Sequence, residues 1–487
     1  MNGVAVQPTT VPLSRLLSAL IPAMLLIPIA ADMVSLLLPR IAAEFSASTA
    51  QAAWVVTGFL LACAIGIPVY GRLADRFSLR RLFTVALVVF AAGSLICAVA
   101  PSLIVLVAGR VVMGAGGAAI PVLAIVSAAR LLSGREAAVG IGFLGAAAGA
   151  GTAAGPAVGG ILGDALGWSA LFWLMTAVAL VLVPVVRRIL TDATPDDRRS
   201  IDLLGGVVLG AGVGLALFGI TRIESAGLGS ASSWGSMAAG AGLLALFGWR
   251  IRAAEHPFVP PSLFANRGYV AAVLVIFLAM VVNLATLVLV PILLIDEGGL
   301  TPTEGSLVMI PGGLALAATS PLAGRLSSRG ADAGTLIVTG LAVIGASMLL
   351  LSTLADGGSP VLAGVAVFAL GAGFAIVVTL TTTAVSQVLP PDQVGVGVGI
   401  FQGAQFLGAG AGPALFSALL SARLSGADDA VNPLYTDAAP PYSDTFLALA
   451  AVAVLAVLAA LRLRRASGRA RGGEPAAGYK KVRPSPR

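Results

Sequence analysis

This chain carries little charge. Only 10% of its 487 residues are Asp, Glu, Lys or Arg, against 58% hydrophobic residues and a mean hydropathy of +1.00. No water-soluble core needs that much apolar surface, so the composition describes a polytopic membrane protein. Histidine is nearly absent too: His256 stands alone in a loop, which excludes a catalytic triad or a histidine metal site. The two cysteines, Cys63 and Cys97, lie in separate apolar runs without metal-ligand spacing and read as small buried hydrophobes. A GxxxxGK[ST] phosphate loop is missing, which disfavours ATP-driven transport and enzymatic activity. The N-terminus lacks a basic region, short apolar core and small-residue cleavage site, so its first apolar run is expected to be retained.

What is present are apolar runs of helical length. Hydropathy predicts fourteen, at 16–39, 52–70, 83–100, 103–127, 137–162, 167–186, 203–221, 235–251, 269–294, 304–323, 334–354, 359–385, 394–420 and 444–461. An even number puts both termini on one side. If that side is the cytoplasm, 25 of the 29 Lys and Arg residues face it; Arg40, Arg222 and Arg423 lie outside and Arg110 lies in the membrane.

The chain also repeats. GRLADRFSLRR from Gly71 returns as GRLSSRGADAG from Gly324, an offset of 253 residues, and GTAAGP from Gly151 returns as GAGAGP from Gly408, an offset of 257. Two pseudo-symmetric halves with a site between them near the midplane are expected. The expected divisions are a cytoplasmic N-terminus (1–15), a six-helix bundle (16–186) and a linker with two extra helices (187–267). A second six-helix bundle (268–461) and a basic disordered cytoplasmic tail (462–487) follow.

Four motifs carry a family likeness. They are Gly71, Leu73, Asp75, Arg76, Arg80 and Arg81, with Ser78 where glycine is usual; Arg110 with Gly114 and Gly116; GTAAGPAVGG at Gly151 to Gly160; and Asp32 with the Leu38-Pro39 step, Val34 replacing a threonine. With them the chain resembles fourteen-span drug:proton antiporters of the major facilitator superfamily, over nearly its whole length. The resemblance implies an all-α integral membrane protein of the major facilitator fold. It implies proton-coupled multidrug efflux, and with it antibiotic resistance, by alternating access in the cell membrane. The proton gradient is the energy source and no cofactor is implied.

The residues themselves support parts of this reading. A carboxylate inside the first span costs about 2.5 to 3.5 kcal/mol on insertion scales, so Asp32 is a functional candidate for proton coupling. Counted at 1.5 Å per residue, Asp32 sits about 10 Å and Arg110 about 12 Å below the outer surface, so the two are expected to pair. Asp75, a lone acid among arginines, can cap helix amides and take a basic partner, with Arg130 the candidate, forming a conformational latch with Gly71, Arg76 and Arg80. Gly151, Gly155 and Gly159 share a helix face beside Pro156, and are expected to form a seam along which the halves slide; Gly395, Gly399, Gly403, Gly408, Gly412 and Pro413 echo it. Asn283, Gln402, Gln405, Phe59 and Phe401, with Phe406, are substrate-cavity candidates.

With one intramembrane acid, lipophilic neutral or monovalent cationic small molecules are the expected substrates, and protons and membrane lipids the other partners. A uniporter or a lipid or metabolite exporter uncoupled from protons is the alternative, and a non-transporting receptor or scaffold the third. A monomer is expected. Nucleic acid is not needed to explain the net charge of +7, nor is a metal. The nine basic residues of the tail are topogenic, with attraction to anionic inner-leaflet lipid as the alternative.

Overall fold

The computed structural model describes residues 11–472 apart from 35–36, 53, 191–201, 227–229, 254–256, 356–358, 391–392, 425–429, 433–434 and 436–438. His256, most of the 1–15 segment, part of the central linker and the tail beyond Gly472 lie outside the described residues. Among those described, every regular element is a helix.

The long helices are α1 (Leu13–Asp32), α2 (Trp54–Ala74), α3 (Leu79–Ala98), α4 (Leu103–Leu131, redirected at Ala118) and α5 (Gly134–Leu166). They continue with α6 (Trp168–Ile189), α7 (Leu203–Ala226), α8 (Ala231–Ala253), α9 (Arg267–Asp296) and α10 (Ile310–Ser328). The last four are α11 (Ala333–Thr353), α12 (Pro360–Val388), α13 (Val394–Leu424) and α14 (Pro440–Gly472). Short polar caps set many starts: Ser78, Ser102, Ser133, Asn266, Asp332 and Ser359 each accept a backbone N–H of the first turn. Between α5 and α6 the chain reverses on Gly167 at φ +82°, a conformation that favours glycine.

Ten of these helices are long and apolar enough to cross a bilayer: α1 to α4, α6, α9 and α11 to α14. The rest, α5, α7, α8 and α10, fall short of that measure, although fourteen spans are expected from hydropathy. Their faces are filled with Gly, Ala and Ser where they meet other helices, and small residues add length without hydropathy. Large apolar side chains stay exposed around the outside, among them Ile104, Val361, Ile161 and Trp249, a surface that suits lipid.

Two boundaries differ from expectation. The first apolar run is not one helix over 16–39. It ends at Asp32, and a short helix, Leu38–Glu44, restarts with proline in its first turn. Pro39 has no N–H to donate back to residue 35, so a continuous helix through this step would lose a ladder bond, whereas a first turn needs none there. At the other end α14 runs on to Gly472, so the tail begins helical. The Arg and Ala residues there are good helix formers, and cations suit a helix C-terminus.

The two repeats make the same contacts. Gly114 of α4 leaves room for the Phe59 carbonyl of α2, and Gly371 of α12, 257 residues on, does so for the Gly312 carbonyl of α10, 253 residues on. Likewise Gly116 meets Phe90 of α3, and Gly373 meets Gly340 and Ile344 of α11. The offsets read from the glycine motifs hold in space.

Candidate functional site

Asp32 ends α1 inside the bundle and remains partly exposed. It is held close to α5 by missing side chains: a Cβ on Gly155 would lie 2.8 Å from that of Asp32, and Gly151, Gly159 and Gly163 in the same stripe meet Pro28, the Met33 carbonyl and Leu37. This corrects one expectation. The Gly151–Gly155–Gly159 face does not form a sliding seam between the halves but clamps α5 onto α1, since four-residue spacing keeps one stripe on one partner. The stripe that does cross is Gly142, Gly145 and Gly149, which meets Ser320 and Leu316 of α10. Pro156 lies within α5, and its side chain is outside the described set.

Arg110 is fully buried, yet no ion pair joins it to Asp32 among the described residues. Its Nε donates to the Val55 carbonyl at 2.7 Å and its Nη1 to the Ala30 carbonyl at 2.8 Å, while Nη2 has no partner. The expected direct pair is therefore absent, for a local reason. Because α1 stops at Asp32, the carbonyl of Ala30 is one of the orphan acceptors of a helix end, and Arg110 takes it. The guanidinium also sits 4.3 Å from the Phe59 ring centroid, a cation–π contact worth about 2 kcal/mol when desolvated. Its charge still acts on Asp32 through space.

Phe59 thereby leaves the set of cavity residues, being fully buried beneath Arg110, and Phe401 is buried to 1%. Asn283 and Gln402 are largely buried without a side-chain hydrogen bond to any described residue, and the Gln405 Oε1 is buried and unpartnered. Phe406 is only partly buried.

The second cluster lies at the turn between α2 and α3. Asp75 is 5% exposed and accepts three bonds: from Arg130 Nη2 at 2.5 Å, and from the backbone N–H groups of Gly395 at 2.6 Å and Val396 at 2.7 Å. It does cap helix amides, but those of α13, while Ser78 caps α3, giving a function to the residue that stands where the loop motif has glycine. Arg130 also donates to the Ala74 carbonyl at 2.7 Å. Arg76 and Arg80 flank the turn, half-exposed. Gly71 lets the backbones touch, for a Cβ there would lie 2.5 Å from the Gly395 carbonyl oxygen. Burial pushes the Asp75 carboxyl up to about 6, against the pull of Arg130 and the two amides.

Sequence reasoning missed the receiving end, the first amides of α13, although the 257-residue offset marks it. Gly324 packs on the Ala138 carbonyl as Gly71 packs on Gly395. At that mirrored junction Ser328 stands for Asp75 and Gln387 for Arg130, and Gln387 donates to the Gly134 carbonyl at 3.3 Å. Two buried hydroxyls without partners, Ser320 and Thr379, were also missed.

A bundle of apolar helices with a carboxylate at an interrupted helix and a charged clasp joining its two repeats defines a polytopic membrane transporter class. Residues 20–413 match the Major Facilitator Superfamily model, and the chain belongs to that superfamily. The Multidrug resistance protein B homolog of Mycobacterium tuberculosis is 30% identical over 403 residues, covering 78% of this chain and 71% of the relative. The Tetracenomycin C resistance and export protein of Streptomyces glaucescens is 28% identical over 388 residues, covering 79% and 72%. The human organic anion transporter MFSD10 (TETRAN) shares the fold at a TM-score of 0.65 and 15% identity, over 92% of this chain and 99% of that one.

Proposed function

We propose that the chain is a proton-coupled exporter of the fourteen-span drug:proton antiporter type. It moves lipophilic neutral or monovalent cationic small molecules by alternating access between two six-helix halves, with both termini cytoplasmic and the cell membrane as its location. The observation that carries the reading is Asp32, a partly exposed carboxylate at the end of α1 inside the apolar bundle, within the field of the buried Arg110. A partly exposed carboxylate at that place is suited to exchange protons and cationic cargo, and its occupancy changes the charge beside the bond that Arg110 makes to α1. The Asp75 clasp on α13 supplies the second element of a rocking cycle, an electrostatic contact that holds one end shut and releases it. The names of the relatives, with multidrug resistance and export among them, favour efflux over uptake.

The test is substrate-induced proton movement in inverted vesicles with an imposed pH gradient, read by a pH dye. Asp32→Asn keeps the size and loses the titration, so dye quenching by substrate is expected to vanish while the protein still folds. Unchanged proton flux in that variant would remove Asp32 from the coupling. Efflux that survives collapse of the gradient would identify a uniporter.

A further inference from the structure

The two repeats meet at two junctions of the same build. One joins α2 to α13 at Gly71 and Gly395, and the other joins α5 to α10 at Ala138 and Gly324. Only the first is held by a carboxylate. At the second, Ser328 stands for Asp75 and Gln387 for Arg130, so no acid occupies the position that accepts three bonds at the first. What the second carries lies one helical turn farther in. Gly142 packs on the Ser320 carbonyl, and a Cβ on Gly145 would stand 3.3 Å from Ser320 Oγ and 3.4 Å from Thr379 Oγ1 of α12. Both residues are buried, at 0% and 1% exposure, and neither hydroxyl has a partner among the described residues.

The way these hydroxyls point is unusual for their helices. A Ser or Thr inside a helix can donate to a carbonyl of its own preceding turn, and on α12 Thr381, Thr382, Thr383 and Ser386 all do so. Thr379 is offered the Ala375 carbonyl in the same way, and Ser320 that of Leu316, yet both hydroxyls go without and lie beside Gly145. Two buried donors aimed at one notch call for a hydrogen-bonding ligand. Pro321 adds to this, since it has no N–H for the Ala317 carbonyl, which leaves an acceptor on the same face of α10 as Ser320. The repeat offsets carry Ser320 onto Ile67, Thr379 onto Val122 and Gly145 onto Gln402. The first junction thus has its polar group at this level in a side chain, against two buried apolar residues, while the second has a glycine there and hydroxyls opposite.

We propose that one water molecule binds between the two halves in the notch at Gly145, bridging Ser320 Oγ and Thr379 Oγ1. A buried water needs about two to four polar partners and the room of one small probe; the hydroxyls supply the partners, and the missing side chain of the partly exposed Gly145 supplies the room. The second junction then closes through a shared solvent molecule where the first closes through Asp75. Because the seat is on α5 of the first half and the hydroxyls are on α10 and α12 of the second, opening of this end parts them and frees the water. That role rests on the alternating-access reading, whereas the site itself does not.

Thermal unfolding in detergent tests the site by sign. Without a ligand, Ser320→Ala and Thr379→Val would each delete a buried unsatisfied group and raise Tm. With a bridging water each breaks a satisfied network, so Tm is expected to fall by roughly 1 to 3 °C, while Thr379→Ser, which keeps the hydroxyl, stays near neutral. The double variant Ser320→Ala/Thr379→Val is expected to cost less than the sum, since the water leaves with its second partner. Gly145→Ala puts a methyl in the water's seat and should lower Tm in the native background but little in the double variant. A rise in Tm for either hydroxyl variant overturns the proposal, as does a Gly145→Ala loss of equal size in both backgrounds. If Gly145→Ala fails to fold, the hydroxyl variants decide, since neither is bulkier than the residue it replaces. A high-resolution density map of the cargo-free protein reads the site directly: a peak about 2.7 to 3.0 Å from both hydroxyls is expected, and hydroxyls turned back onto the Leu316 and Ala375 carbonyls would refute it. A lost proton signal in the vesicle assay with this pattern intact would sink the coupling reading and leave the water site standing.

Discussion

Asp75→Asn isolates the clasp on α13. The carboxylate accepts from a guanidinium and two backbone amides at 2.5 to 2.7 Å. Asparagine keeps one acceptor and turns an NH₂ toward the others, so about two of three charge-assisted bonds are lost, at roughly 1.5 to 3 kcal/mol each. Rehydration of the same groups in the open form offsets part of this, leaving about 3 kcal/mol and a shift of roughly a hundredfold from closed to open. Spin labels at the exposed Phe77 and Val388, on opposite sides of the closed end, read that population by double electron–electron resonance. Turnover is expected to fall with substrate affinity nearly unchanged. An unaltered distribution in the variant, with only a lower Tm, would reduce the clasp to a stabilising contact and refute the argument.

Arg110→Met leaves the Ala30 carbonyl at the end of α1 buried without its donor and removes the second bond to the Val55 carbonyl, so a loss of about 2 to 5 kcal/mol in detergent stability is expected, while Asp32→Asn costs little. Because only the through-space field of Arg110 and no ion pair joins the two residues, a double-mutant cycle of thermal stability should show a coupling below about 1 kcal/mol; a coupling of several kcal/mol would contradict the absence of a direct pair. Gly159→Ala drives a Cβ into the Met33 carbonyl just past Asp32, and is expected to lower Tm and displace the end of α1, whereas Gly235→Ala, with open space around it, should do neither. Thermal unfolding of the two purified variants side by side checks this.

Much of the architecture was legible because its signals are local or periodic. Apolar length gave the helices, and the recurrence of GRLADRFSLRR and GTAAGP gave a repeat whose offsets reappear as matched contacts of Gly114 with Gly371 and Gly116 with Gly373. The pairing of Asp75 with Arg130 was legible for a different reason: an acid among arginines has few ways to be satisfied. What could not be read depended on backbone. Nothing in the side chains says that α1 stops at Asp32 and offers its Ala30 carbonyl to Arg110, or that the first amides of α13 lie under Asp75. Matching depths for Asp32 and Arg110 follow from counting residues, but depth fixes one coordinate and leaves rotation about the helix free. Phe59 was misplaced on the same account, since a ring in an apolar helix looks alike whether it faces cargo or braces a guanidinium.

The mirrored junctions have a further meaning for how such a sequence can drift. At Gly71 and Gly324 the opposing main chains approach so closely that any side chain is excluded, and both positions are glycine. Four residues further along, where the neighbour is reached by a side chain rather than by bare backbone, one copy carries Asp75 and the other Ser328. The ancestry of the two halves is thus written in atoms that are not there, and their individuality in the charges that are.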